Sequence, residues 1–299
     1  GEILRAMSPL ILIALGFSVA SKAGFFNVGL PGQALAGWTS AVWFALSFPE
    51  LPKVVSVFCT VIIGLVAGGI AGAIPGILRA YLGTSEVIVT IMMNYIILYV
   101  ANNIVRFGFT ADMLRSSEAS NKVAASASYQ TEFLSSLTGG SRFNIGFFLA
   151  LAAVFLVWFM LKKTTTGFEI NPHASEYAGM SSKRVIIMSM IISGALCGLG
   201  GTVEGLGTFQ NAFVQNSSLA IGWNGMAVAL LATNSPIGIP FAALLYGVLS
   251  VGKSGMIGVP PEVIDVVSAL IIFFVGANYI IRYWVRPRQK SVKAKGGQN

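Results

Sequence analysis

Charge is what this sequence has least of: only 10% of its 299 residues are Asp, Glu, Lys or Arg, against 55% hydrophobic, and the mean hydropathy is +0.77. A soluble domain of ordinary composition carries about 25% charged residues, so a large soluble protein is excluded for want of charge to coat its core. Cysteine is nearly absent too. Cys59 and Cys197 sit in apolar segments far apart in sequence, where small thiols pack, and neither a disulfide framework nor a metal-ligand spacing follows. The sole histidine, His173, falls in a polar connection, which argues against a proton relay within a span. No Ser/His/Asp set and no paired catalytic carboxylates stand out. The chain opens at Gly1 with no basic, apolar, cleavable pattern ahead of its first apolar run, and reads as trimmed rather than as carrying a signal peptide.

What is there is a series of long apolar runs. About 20 such residues cross a hydrocarbon core of roughly 30 Å, and five runs fit plainly: Val54 to Ala73, Val87 to Ile104, Asn144 to Leu161, Val185 to Gly201 and Val263 to Ile281. Shorter or Gly/Pro-interrupted ones lie at Pro9 to Ala20, Leu30 to Phe48, Leu219 to Ile237 and Ile239 to Val251, making nine. Lys162, Lys163, Lys183 and Arg184 flank one loop, and Arg282, Arg286, Arg288, Lys290, Lys293 and Lys295 fill the tail. The positive-inside rule puts both groups in the cytoplasm. Beside a span a basic tail is topological rather than a nucleic-acid arm, so the net charge of +8 says little about substrate. Walking the spans from these anchors leaves the Ser- and Ala-rich loop from Phe109 to Arg142 outside, as a solvated, partly flexible connection.

Two spans of opposite direction resemble each other. Glu86-Val87-Ile88 opens one and Glu262-Val263-Ile264 the other, with Asn102 and Asn278 near their far ends; Gly32-Gln33-Ala34-Leu35-Ala36 is echoed by Gly225-Met226-Ala227-Val228-Ala229. The pattern predicts an inverted-topology repeat whose interrupted segments mark the substrate path. A helix ahead of Gly1 would complete five plus five spans. The expected fold is therefore an all-α polytopic membrane protein of nine to ten transmembrane segments, two of them interrupted. It forms one transmembrane domain over residues 1–299: a first half (1–107), an extracytoplasmic loop (108–143), a second half (144–282) and a basic cytoplasmic tail (283–299).

Gly247-Val248-Leu249-Ser250-Val251-Gly252-Lys253-Ser254 fits the phosphate-loop pattern G-x-x-x-x-G-K-[ST]. That loop must join a strand to a helix, with an acidic magnesium partner; here it ends an apolar span, so it is set aside. Polar groups inside spans are costly and face a cavity or a partner helix. Glu86, Thr90 and Asn94 recur every four residues and share a helix face, and Asn94 offers donors and an acceptor to a polar solute. Glu204, Phe209, Gln210, Asn211, Trp223 and Asn224 bracket the second interrupted segment. Aromatic faces stack on nucleobases and amides satisfy base edges or ribose hydroxyls, although Phe209 and Trp223 equally suit interfacial anchors.

The chain resembles the permeases of the branched-chain amino acid, ribose and nucleoside ABC importers, and within them the nucleoside branch. The resemblance rests on Phe26-Asn27-Val28-Gly29 with Gly32-Gln33, on Gly83 through Tyr95, on Thr165-Thr166-Gly167-Phe168-Glu169-Ile170 with Asn171-Pro172, on Tyr177-Ala178-Gly179-Met180, on Ser193 through Leu199 and on Gly225 through Leu231. Two departures stand against it: Pro31 replaces the glutamate that family members carry before Gly-Gln, and a short Arg-Ala-Val-Gly-type stretch is missing between Ile170 and Asn171.

The resemblance implies a non-enzymatic transmembrane subunit of a bacterial inner-membrane importer, without cofactors of its own. ATP is used by separate cytoplasmic ATPase subunits, a second permease pairs with this one, and an extracytoplasmic lipoprotein delivers the nucleoside. Together with the polar and aromatic candidates above, the expected substrate pathway takes in Asn27, Gln33, Thr90, Asn94, Glu204, Phe209, Gln210, Trp223 and Asn224. The ATPase-coupling element then holds Glu169, Asn171, Pro172, Tyr177, Gly179 and Met180. A ribose or simple-sugar permease is the alternative within the class. An ion-coupled secondary transporter, which would need intramembrane ionisable groups such as Glu86, Glu204 or Asp265, is the alternative outside it.

Overall fold

The computed structural model describes residues 1–170 and 182–255, together with the single positions 260, 263, 266, 269 and 270. Ten helices are numbered among these residues: α1 (Glu2–Lys22), α2 (Leu30–Ser47), α3 (Lys53–Leu82), α4 (Glu86–Asn103), α5 (Glu132–Leu137), α6 (Gly146–Lys163), α7 (Thr165–Ile170), α8 (Ser182–Val203), α9 (Ala220–Leu231) and α10 (Ile239–Gly255). Both α4 and α8 end in wider π-turns, Ile104–Gly108 and Glu204–Phe209. Two short strands, β1 (Leu114–Ser116) and β2 (Ala119–Ser120), pair antiparallel. The chain divides into two compact units, Gly1–Val248 and Leu249–Asn299. In the second, the described residues are the end of α10 and the five single positions.

Five helical stretches are long and apolar enough to cross a membrane: Glu2–Lys22, Lys53–Leu82, Glu86–Gly108, Gly146–Lys163 and Ser182–Phe209. Two apolar helices, Ala220–Leu231 and Ile239–Lys253, are shorter. Four of the plainly expected runs thus fall in α3, α4, α6 and α8, and Pro9 to Ala20 is the middle of the longer α1. The expected run Val263 to Ile281 lies outside the described residues apart from Val263, Val266, Ala269 and Leu270.

The distribution of side chains on α3 is that of a helix in lipid. Val54, Phe58, Ile62, Val66, Ile70 and Ile74 recur every fourth residue and are exposed, while Ser56, Thr60, Gly64, Gly68 and Gly72 form the buried row. Large apolar residues gain nothing by leaving lipid tails, so helices associate through small residues that let backbones close. The buried row meets α8 running the other way: a Cβ on Gly64 would strike Thr202, one on Gly68 would strike Gly194 and Gly198, and one on Gly72 would strike the Met190 carbonyl. Against α1 and α2 the same helix uses Gly200 and Gly201, which close on Pro9 and Ala34. α1 is the innermost element, buried without a break from Met7 to Ala20. It packs on α8, α9 and α6, while α2 packs on α3, α4 and α8.

The loop expected to be solvated and partly flexible is instead tied down along residues 118–130. Glu118 O accepts from Val214 N–H at 2.8 Å, Ser120 N–H donates to Ala212 O at 2.8 Å, and Val123 N–H donates to Gln210 O at 2.8 Å. Tyr129, fully buried, bonds Thr60 of α3 through its hydroxyl at 3.0 Å. The segment supplies backbone hydrogen-bond partners to residues 206–214, where the chain leaves helix.

Candidate functional site

Gly24, at φ 83°, follows the end of α1, and the chain stays out of helix until Leu30. In this gap Asn27 Oδ1 accepts from Gly29 N–H at 2.9 Å, a turn that aims the chain into α2. Asn27 Nδ2 donates to Gln33 Oε1 at 3.0 Å and to Ser193 Oγ on α8 at 2.8 Å, and Gln33 Nε2 donates back to Asn27 Oδ1 at 3.3 Å. Gly29 has no side chain with which to cap α2, so the first donors of that helix need partners from elsewhere. α4 supplies them. Thr90 Oγ1 accepts from Val28 N–H at 3.3 Å while donating to Glu86 O at 2.7 Å.

Asn94 Oδ1 accepts from Gly32 N–H at 2.9 Å and Asn94 Nδ2 donates to Val28 O at 2.9 Å. Val28 O and Gly32 N–H are the groups that an uninterrupted helix would join to each other; the Asn94 amide stands between them. Glycine is required at 32 for this approach, since a Cβ there would lie 2.9 Å from Asn94 Cα. Asn27, Gln33, Thr90 and Asn94 are thus gathered, all buried, around the start of α2. The start of α9 abuts the same point, where Gly222 lies against the Pro31 backbone.

Phe209 and Gln210 form a second group. Gln210 adopts a left-handed φ of 61° at the end of the α8 π-turn, and its Nε2 donates to Ser128 Oγ at 2.8 Å. The Phe209 ring stacks on Trp38 of α2, with centroids 5.0 Å apart and planes 17° apart. Trp38 Nε1 donates to Asn211 O at 2.8 Å. Phe209 nevertheless keeps 41% of its surface exposed.

Trp223 and Asn224, on α9, form a third group. Trp223 is 39% exposed with Nε1 donating to Ser218 Oγ at 3.1 Å, and Asn224 Oδ1 accepts from the Tyr246 hydroxyl at 3.1 Å. Glu204 stands apart from all three: its Oε2 accepts from Thr208 Oγ1 at 3.0 Å, Arg5 reaches Thr208 at 3.2 Å, and Glu2 binds Arg5 at 2.6 Å and the Arg142 N–H at 2.9 Å.

Reasoning from sequence assigned no site role to Trp38 or to Ser193, the latter only part of a matched motif, and marked Asn102 only as a repeat partner. Asn102 Nδ2 donates to Gln215 O at 2.8 Å and its Oδ1 accepts from Gln215 N–H at 2.9 Å. A polar side chain on an otherwise apolar helix was the signal available for each. Of the coupling residues, Glu169 lies half-buried in α7, while Asn171, Pro172, Tyr177, Gly179 and Met180 fall outside the described residues. Gly247 through Ser254 are continuous helix within α10, so the phosphate-loop pattern has none of the geometry that cradles phosphate. Among the described residues no three His, Cys, Asp or Glu side chains cluster to hold a metal.

Comparison with known proteins is consistent along nearly the whole length. The nucleoside ABC transporter permease protein NupB of Lactococcus lactis subsp. cremoris is 52% identical over 303 residues, covering 98% of this chain and 83% of the relative. The guanosine ABC transporter permease protein NupP of Bacillus subtilis is 44% identical over 291 residues, covering 95% and 82%. The glucose ABC transporter permease protein TsgB13 of Haloferax volcanii is 30% identical over 302 residues, covering 95% and 78%. No solved structure matches. The family model of the branched-chain amino acid transport system permease component matches residues 1–276, and with helices that put small residues inward and large apolar ones outward, this chain belongs to that family of membrane permeases.

Proposed function

We propose that this chain is the membrane-spanning subunit of an ATP-driven importer that carries nucleosides across the bacterial inner membrane. The observation that carries this reading is the gradient of identity: 52% and 44% to a nucleoside and a guanosine permease against 30% to a glucose permease, each over at least 95% of this chain. The chain hydrolyses no ATP itself; a cytoplasmic ATPase does so, docking on the connection between Lys162 and Arg184, with the C terminus on the same side. A second permease completes the channel and an external lipoprotein hands over the solute. In this reading the chain carries an inverted repeat, α2 and α9 being its interrupted members. The meeting of their starts at Pro31 and Gly222 supports that arrangement.

The solute path runs past these starts. The exposed faces of Phe209 and Trp223 suit a nucleobase, while Asn27, Gln33, Thr90 and Asn94 shape the break that the path passes. A membrane site that must release its cargo is shallow, so selectivity resides chiefly in the binding lipoprotein. The identity to TsgB13 keeps a sugar permease as the second reading. Uptake of radiolabelled guanosine and of radiolabelled glucose in cells expressing the complete importer decides between them. Guanosine uptake dependent on both ATPase and lipoprotein is expected, and glucose transported faster than guanosine overturns the nucleoside reading.

A further inference from the structure

Asn94 and Asn102 lie eight residues apart on one helix, about 12 Å along its axis. Each commits its side-chain oxygen and an N–H to backbone at or just ahead of a helix start. Asn94 holds Val28 O and Gly32 N–H, at the break before α2. Asn102 holds Gln215 O and N–H, in the extended stretch before α9. A carboxamide mimics a peptide unit, offering donor and acceptor together, and here it stands in for the backbone partner that each interruption removed. The rest of α4 is lightly held. Thr90, Asn94, Leu98 and Ala101 make its buried face, whereas Ile88, Met92, Tyr95, Ile96, Tyr99 and Val100 are exposed.

We propose that α4 is a strut that carries both interrupted segments as one unit through the transport cycle, with Asn94 and Asn102 as positioning residues that grip main chain and do not contact solute. The physical ground is that each amide pairs backbone groups that a helix break has left open, fully buried at Asn94 and part-buried at Asn102, and leaving such groups unpaired is costly, most of all where they are buried. Movement of α4 therefore shifts the starts of α2 and α9 together, which is what opening or closing a path between them requires. The inference rests on the importer reading, and its test is distinguishable from that reading because every variant is compared with a parent importer that transports.

The first arm compares Asn94→Ala and Asn102→Ala with the parent, measuring radiolabelled guanosine and uridine uptake in cells with the variant's abundance in the membrane determined alongside. Maximal uptake per inserted molecule should fall roughly tenfold in Asn94→Ala, the scale of one to two lost buried hydrogen bonds, and by a smaller factor in Asn102→Ala, whose bonds are part-buried, with KM and the guanosine-to-uridine ratio unchanged in both. A shifted ratio would mean that either amide touches solute and would overturn the proposal.

The second arm holds even if the alanine variants fail to insert. In a Cys59→Ala, Cys197→Ala background that keeps Asn102, Asn103→Cys and Asn216→Cys, the exposed neighbours of the gripped pair, are joined by a short bis-methanethiosulfonate linker, both positions lining an open groove that a thiol reagent can reach. Uptake should persist after linking, because the two positions never separate. Uptake lost on linking and recovered with reductant would show that the segment leaves α4 during transport, and the strut would be wrong.

Discussion

Gly68 and Gly69 are neighbours in sequence with opposite surroundings. A methyl on Gly68 would collide with the Gly194 carbonyl and lie 2.6 Å from Gly198 Cα, whereas on Gly69 it would meet Ala195 and Ile191 at an ordinary 3.7 Å. Gly68→Ala must push α3 away from α8, at about 2 to 3 kcal/mol for an overpacked contact that cannot relax. Gly69→Ala should be neutral or slightly stabilising, since alanine is the better helix former. Thermal unfolding of the two purified variants in detergent checks this, and equal midpoints would mean that the helices do not cross where Gly68 meets Gly198. At this scale the candidate site was partly legible. Glu86, Thr90 and Asn94 share a helix face because their spacing says so. That Asn94 spends its amide on Val28 and Gly32 could not be read, because it depends on which backbone groups a distant break leaves unpaired.

Elements were legible wherever one apolar run makes one helix, as in α3, α4, α6 and α8. They were not where tertiary partners replace local signals. The segment 118–130 carries the Ser, Ala and Asn of a solvated loop, yet its backbone completes the hydrogen bonding of residues 206–214, and no local pattern announces that. Tyr129 is the pin. Burial pushes its phenol pKa well above the ordinary value of about 10. As pH rises through the unfolded value the unfolded chain loses a proton that the folded chain keeps, so Tyr129 subtracts stability in alkali and none near neutrality. Tyr129→Phe should cost about 1 kcal/mol near pH 8, the worth of the bond to Thr60, and its melting point should then fall less than the parent's on going to about pH 10.5. Parallel falls in both proteins would show that the phenol ionises as freely folded as unfolded.

In the importer reading the whole molecule divides its labour with separate subunits, and that division rests on what α10 is. Gly247 to Ser254 satisfies a nucleotide-binding pattern letter by letter, so a reader of motifs alone would assign ATP hydrolysis here. Phosphate binding needs consecutive backbone N–H groups turned outward from a glycine-rich loop. In α10 the same residues are helical, and inside a helix those N–H groups are consumed by the carbonyls four residues back. Among the described residues Lys253 therefore has no phosphate cradle, whatever it contacts otherwise. The purified chain alone should show no ATPase activity, and uptake should require the separate ATPase. Lys253→Ala should leave guanosine uptake by the assembled importer within about twofold of the parent, the range expected of a substitution outside the transport machinery. The assay needs ATPase turnover and complex assembly measured on the same preparation. A variant that assembles normally yet has lost ATP hydrolysis would return the phosphate-loop reading to this chain.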